Sequence, residues 1–204
     1  GDHRDLHAFP TRRSSDLVHE YGGGAYAVFD GVVYFSNWDD QRIYRSAEGR
    51  TTVVTDEPAI ERGDRYADLT VSNDSRWILA VRERHHPDRE ADNELVIVPV
   101  DGTGAVKVLA AGNDFYSSPR QSPAGDRVCW LSWDHPNLPW DGCELWVAEF
   151  DSASGTVSEP RCVSGGRDVS VVQPEWAPDG SLVFISDESG WWNLTRWSDR
   201  KSVV

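Results

Sequence analysis

Apolar and polar residues repeat one plan four times along the chain. Each time a turn leads into a run of β-branched and aromatic residues, followed by a polar connector and a second such run. The first unit is FDGVVYFSN (29–37) with QRIYRS (41–46), and the second is VSNDSRWILAVRE (71–83) with NELVIVPVDG (93–102). The third is PRQSPAGDRVCWLSWD (119–134) with CELWVAEFD (143–151), and the fourth is PEWAPDGSLVFISDESG (174–190) with WNLTRW (192–197). Aligned on Gly31, Ser75, Gly125 and Gly180, the units are spaced by 44, 50 and 55 residues, with the variation in the connectors. Units of this length with about four short strands are propeller blades, whose sheets bury their faces only by stacking on neighbours. Asn73-Asp74, Ala124-Gly125 and Asp179-Gly180 fall at tight hairpins, where Gly, Asn and Asp tolerate positive φ. Runs such as Trp77-Ile78-Leu79-Ala80-Val81 and Leu182-Val183-Phe184-Ile185 are apolar without a break, the mark of sheets covered on both faces. No segment sustains helical periodicity. The pattern predicts an all-β fold, a partial β-propeller of about four blades of four-stranded antiparallel sheets.

Composition narrows the function classes. The chain has 204 residues, 39% hydrophobic and 26% charged, as one globular domain would. A formal net charge of -14 repels polyanions, so nucleic acid is not an expected partner. No apolar run approaches the roughly 18 residues that span a bilayer, so no membrane partner is expected either. Cys129, Cys143 and Cys162 are an odd set, two of them in apolar strand-like contexts, and read as reduced thiols rather than a disulfide framework. A pairing of Cys129 with Cys143 across a hairpin is the open alternative.

The two ends differ from everything between them. GDHRDLHAFPTRRSSDL (1–17) and DRKSVV (199–204) read as translated sequencing-adapter DNA, with Ala8 the one departure from the expected residues. Both are expected to be non-native segments. That removes 5 of the 20 basic and 4 of the 34 acidic residues, so the acidity belongs to residues 18–198, expected to be an incomplete propeller domain from a longer protein. An open arc of blades leaves two sheet faces unprotected, and the isolated piece is expected to aggregate or stay partly unfolded.

Four phrases carry a family resemblance: VHEYGGGAY (18–26), YFSNWDDQRIYR (34–45), SSPRQSPAGDRVCWLSWDHPNLPWDGCELWV (117–147) and QPEWAPDGSLVFISDESGWWNL (173–194). They resemble the propeller domain of the prolyl oligopeptidase family of serine peptidases, in its acylaminoacyl-peptidase and dipeptidyl-aminopeptidase branch. The resemblance implies a propeller that gates and selects peptide substrates for a C-terminal α/β-hydrolase domain of the same chain, carrying a Ser, Asp, His triad. It also implies a cytoplasmic location. The nucleophile of such a domain sits in a Gly-x-Ser-x-Gly elbow. No serine of this sequence has glycines at both flanking positions; Ser164, with Gly166 after it and Cys162 before it, comes nearest. These residues therefore hold no catalytic set, and no cofactor or metal is expected. The alternative is a TolB-like propeller, a protein-binding module with no hydrolase, because the S-P-D-G type of strand signature occurs there too.

Other single features carry less. Gly22-Gly23-Gly24 could cradle phosphate only before a helix, and the strand-like Ala25-Tyr26-Ala27-Val28-Phe29 follows, so close blade packing is the better account. His85, His86, Asp88 and Asp92 lack the further ligands a metal needs. Trp191-Trp192 reads as the cover of a hairpin or interface. Glu20, Asp39, Asp40 and Glu188 are dispersed acidic positions without an assigned role. The most loaded stretch is WDHPNLPWDG (133–142), with two Trp, two Pro, two Asp and one His in ten positions. Its prolines lower the entropy lost on ordering, and its tryptophans offer rings to bury on each other or on adjoining blades. Trp133, His135, Trp140 and Asp141 are the candidate substrate-gating residues; a loop that merely closes the blade edge is the competing account.

Overall fold

The computed structural model describes Val18 and residues 23–199. Apart from Asp199, the adapter-like stretches lie outside the described residues, as do His19, Glu20, Tyr21 and Gly22. The described chain folds into four antiparallel meanders. The first blade comprises β1 (Tyr26–Phe29), β2 (Val32–Ser36), β3 (Ile43–Ala47) and β4 (Arg50–Val53). The second holds β5 (Asp64–Val71), β6 (Trp77–Arg84), β7 (Asp92–Pro99) and β8 (Lys107–Ala111). The third holds β9 (Phe115–Gln121), β10 (Arg127–Trp133), β11 (Glu144–Asp151) and β12 (Thr156–Gly165). The fourth holds β13 (Val171–Trp176), β14 (Leu182–Ser186) and β15 (Asn193–Trp197). The expected four-stranded sheet thus occurs in three blades, and the fourth has three strands among the described residues, which stop two positions past β15. Among them no helix is long and apolar enough to cross a membrane.

Blade stacking explains the unbroken apolar runs. Successive strand residues point to opposite faces. In β6, Ile78 and Ala80 pack with Tyr34 and Ile43 of the first blade, whereas Leu79 and Val81 pack with Tyr116, Val128 and Trp130 of the third. A third cluster joins Cys129, Leu131 and Leu145 of the third blade to Val171, Leu182 and Phe184 of the fourth. Three clusters are the three seams of an arc of four blades. Polar bonds cross the seams as well: Asn73 Nδ2 donates to Ser122 O at 2.8 Å, Trp77 Nε1 to Ser152 O at 2.7 Å, and Trp176 Nε1 to Arg120 O at 3.1 Å.

The hairpin positions used to align the repeats, Gly31, Ser75, Gly125 and Gly180, all have positive φ, between 60° and 79°. Seven residues before each lies a second left-handed residue: Gly24 (φ 49°), Asp68 (53°), Ser118 (55°) and Gln173 (53°). At the last three the ladder with the next strand slips, between Ala67 and Thr70, opposite Cys129 to Leu131, and between Val172 and Glu175. Such bulges bend a strand and re-aim its backbone. They set the inner strands side by side, with Leu69 N donating to Gly24 O at 3.1 Å. A side chain at Gly24 would put a Cβ 2.6 Å from Asp68 Cα, so the glycine serves close blade packing, and strand β1, not a helix, follows it.

All three cysteines are free, Cys129 and Cys143 buried and Cys162 exposed. Cys129 lies opposite Val147 in the ladder and Cys143 precedes β11, so the two thiols do not face each other across the hairpin.

Candidate functional site

The connector between β10 and β11 runs from 134 to 143. Side chains from two neighbouring links hold it. Asp134 and Asp114 tie the loop to the β8–β9 link: Asp114 N donates to Asp134 Oδ1 at 2.7 Å, and His135 N donates to Asp114 Oδ2 at 2.8 Å. Asn113 Nδ2 adds a bond to Asp134 Oδ2 at 3.0 Å. On the other side Asn137 Nδ2 donates to Arg167 O at 2.6 Å and Ser170 Oγ to Pro139 O at 2.5 Å. Asp141 closes the loop on itself, accepting from Leu138 N at 3.1 Å. A Cβ at Gly142 would lie 2.1 Å from Arg167 O, so the chain leaves the loop where only glycine fits.

The four candidate gating residues have different surroundings. Trp133 is buried, in phase with Cys129 and Leu131 on the face turned to the fourth blade. Its ring stacks on Phe115 at 5.4 Å, and the His135 ring meets Phe115 edge-on at 4.9 Å. Trp140 is 58% exposed at the loop tip, so the two tryptophans do not bury one another. Asp141 shapes the turn, as described.

Two clefts flank this loop. One, of about 370 Å³, is bounded by Asn113, Asp134, His135, Asn137, Glu144 and Arg167. The other, of about 310 Å³, lies among the inner strands and is lined by Asp68, Ser117, Ser118, Val172 and Gln173, together with Trp133 and Pro139 of the loop. Trp133 lines both and stands between them. Three of the left-handed inner-strand residues thus gather at the axial cleft. The arrangement can bind through hydrogen bonds and charge. It supplies no activated nucleophile: burial raises the pKa of the Cys143 thiol, whose Sγ donates to Val171 O at 2.9 Å.

Of the remaining sequence candidates, Gly23 lines the cleft among the inner strands, and the other described acidic, histidine and tryptophan candidates line neither cleft. Asp40 is tied into its own turn, accepting from Tyr44 Oη at 2.6 Å and Asn37 Nδ2 at 2.9 Å. His85 bonds Glu83, and His86 Nε2 bonds Asp92 Oδ2 at 2.8 Å. Among the described residues no group of three or more His, Cys, Asp or Glu could hold a metal ion. Trp191 and Trp192 are exposed on the β14–β15 hairpin, and Asp39 and Glu188 are exposed on connectors of different blades. Glu20 lies outside the described residues. Sequence reasoning missed Asn113, Asp114, Asn137, Arg167 and Ser170. Four of them sit in short links between blades whose composition is that of any surface loop, and their partner loop is distant along the chain.

No protein-family model and no curated protein matches the chain. Solved structures do. A puromycin-hydrolysing peptidase from Mycobacterium tuberculosis is 39% identical with a TM-score of 0.79, over 88% of this chain and 30% of its own. A puromycin hydrolase is 33% identical with a TM-score of 0.80, over 90% of this chain and 30% of its own. The chain therefore spans under a third of the length of these proteins. A putative TolB from Agrobacterium tumefaciens, 21% identical with a TM-score of 0.50 over 82% of this chain and 54% of its own, shares the fold alone.

Proposed function

The chain is a propeller segment of the prolyl oligopeptidase family type, and from that premise we propose that it gates and selects peptide substrates for an α/β-hydrolase domain of the whole protein. The segment itself is non-catalytic; the serine peptidase chemistry belongs to the hydrolase domain. The observation that carries this reading is the position of one loop: Trp133 and Pro139 line the axial cleft while Trp140 stands exposed beside them. A peptide moving along the propeller axis meets a prebuilt aromatic rim there. Rigid aromatic side chains give such a rim contact area at little entropic cost. Hydrolysis of puromycin by the relatives supports small aminoacyl compounds and short peptides as the substrate class.

The test uses the complete peptidase. Trp140→Ala is expected to change the ratio of kcat/KM between short and long peptides several-fold, with an unchanged melting temperature. Equal effects on all substrates, or a loss of stability alone, would make the loop a blade-edge closure and sink the gating role.

A further inference from the structure

The cleft of about 370 Å³ beside the 134–143 loop is built from the third blade and its two links, with a neighbouring blade packed on either side. Part of its lining is committed to holding the loop. Asp134 accepts through both carboxylate oxygens, from Asp114 N and Asn113 Nδ2, and Asn113 Oδ1 accepts from Tyr116 Oη at 3.2 Å. Two opposite charges are not committed. Glu144, half-buried, opens β11, and Arg167 stands exposed on the β12–β13 link. Both line the cleft, yet no ion pair or side-chain hydrogen bond engages either of them among the described residues. Arg120, Arg127 and Arg196 of the third and fourth blades each meet a carboxylate instead.

The two charges rise from fixed backbone. Asn137 Nδ2 donates to the Arg167 carbonyl at 2.6 Å, and a Cβ at Gly142 would sit 2.1 Å from that same oxygen. Glu144 is set by its ladder partners, Ser132 on one side and Gly165 on the other. Charges placed in advance lose little freedom when a ligand arrives. A simple anion would be drawn to Arg167 and repelled by Glu144 and Asp134, and a simple cation would meet the reverse. A small molecule with both charges satisfies the two walls together, through charge-assisted hydrogen bonds and the forked geometry of a guanidinium on a carboxylate. The volume is at the lower end of the range of small-molecule sites.

We propose that this cleft binds an α-amino acid zwitterion, as a free amino acid or a dipeptide, with its carboxylate on Arg167 and its ammonium on Glu144. Peptide hydrolysis releases molecules of this kind, which makes the cleft a product site beside the gate. That last step rests on the peptidase reading of the whole protein; the binding itself does not.

Titration calorimetry of the whole protein, its hydrolase serine blocked with diisopropyl fluorophosphate, tests the site with alanine and alanyl-alanine as probes. Saturable binding is expected below about 10 mM for at least one of them, and the tighter gives the length of the ligand. The N-acetylated and amidated forms of that probe each lack one charge and are expected to bind about tenfold or more weakly. Glu144→Gln is expected to bind the free and N-acetylated forms alike, and Arg167→Gln the free and amidated forms alike. Melting temperatures stay unchanged, because neither side chain has a partner to lose. No saturable binding, equal binding of the charge-deleted probes by the wild type, or variants that discriminate as the wild type does overturns the inference. Blocking the serine removes turnover from the readout, so the outcome is separate from that of the gating test.

Discussion

The amide of Ser118 donates to Oδ2 of Asp68 at 3.1 Å, so the left-handed residue of one inner strand holds the left-handed residue of the next. Asp68→Ala removes the acceptor and places a residue poorly suited to positive φ at a bulge. It is expected to destabilise the protein by about 2 kcal/mol. Asp68→Asn keeps an acceptor and tolerates the backbone, so its cost is expected to be about half as large or less. Urea midpoints of the two variants check the ranking; equal losses would remove Asp68 from the seam.

The two tryptophans of the 134–143 loop and its leading edge separate by burial. Trp133→Ala empties a packed position against Phe115 and is expected to cost about 3–5 kcal/mol. Trp140→Ala, at the exposed tip, is expected to stay within about 0.5 kcal/mol. Denaturant unfolding of both variants decides it, and a large loss at Trp140 would contradict the exposed placement.

Thiol chemistry reports on the seams. Burial pushes the Cys129 thiol up to about 12 and also raises Cys143 and, less enclosed, Cys162. A raised pKa means less thiolate at pH 8 and slower alkylation. Iodoacetamide at that pH is expected to label Cys162 first, more slowly than a free thiol, with Cys129 and Cys143 reacting only on unfolding. Peptide mass spectrometry of a time course shows the order, and early labelling of Cys129 would mean an open third seam.

Acid is expected to loosen the turns. Asp92 is held below the usual carboxylate range by the Arg89 guanidinium and by His86, and Asp101, Asp151 and Asp179 by the hydroxyls of Thr103, Ser154 and Ser181. At Asp40 and Asp74 burial pushes upward, and hydrogen bonds from Tyr44 and Ser152 outweigh it. A carboxylate with a lowered folded pKa contributes stability above its unfolded value of 3.8, and that contribution is lost as pH falls through the folded pKa. Urea midpoints are therefore expected to fall below about pH 4, and less steeply in Asp92→Asn and Asp179→Asn. An unchanged acid slope in both variants would count against these turn bonds.

The repeat was legible because its hairpins need residues that accept positive φ, and Gly31, Gly125 and Gly180 supply them in plain sight. The left-handed inner-strand positions seven residues earlier are Gly24, Asp68, Ser118 and Gln173, four different residue types, so no pattern of residue types announces them. The loop at 134–143 stood out through its prolines and tryptophans, but the sequence leaves open which of the two tryptophans is buried, and the structure puts Trp133 with Cys129 and Leu131 in a seam. Its anchors did not stand out. Asp114 and Ser170 act across roughly twenty to thirty residues of chain, and only the folded arc brings them to the loop.

Adjacent residues of β6 answer to different neighbours: Ile78 to the first blade, Leu79 to the third. Amino-acid changes that compensate one another through evolution should therefore link Ile78 with Tyr34 and Leu79 with Val128, at separations near one repeat, and leave Ile78 and Leu79 statistically independent. Each seam can then drift on its own account, which lets the blades diversify one joint at a time.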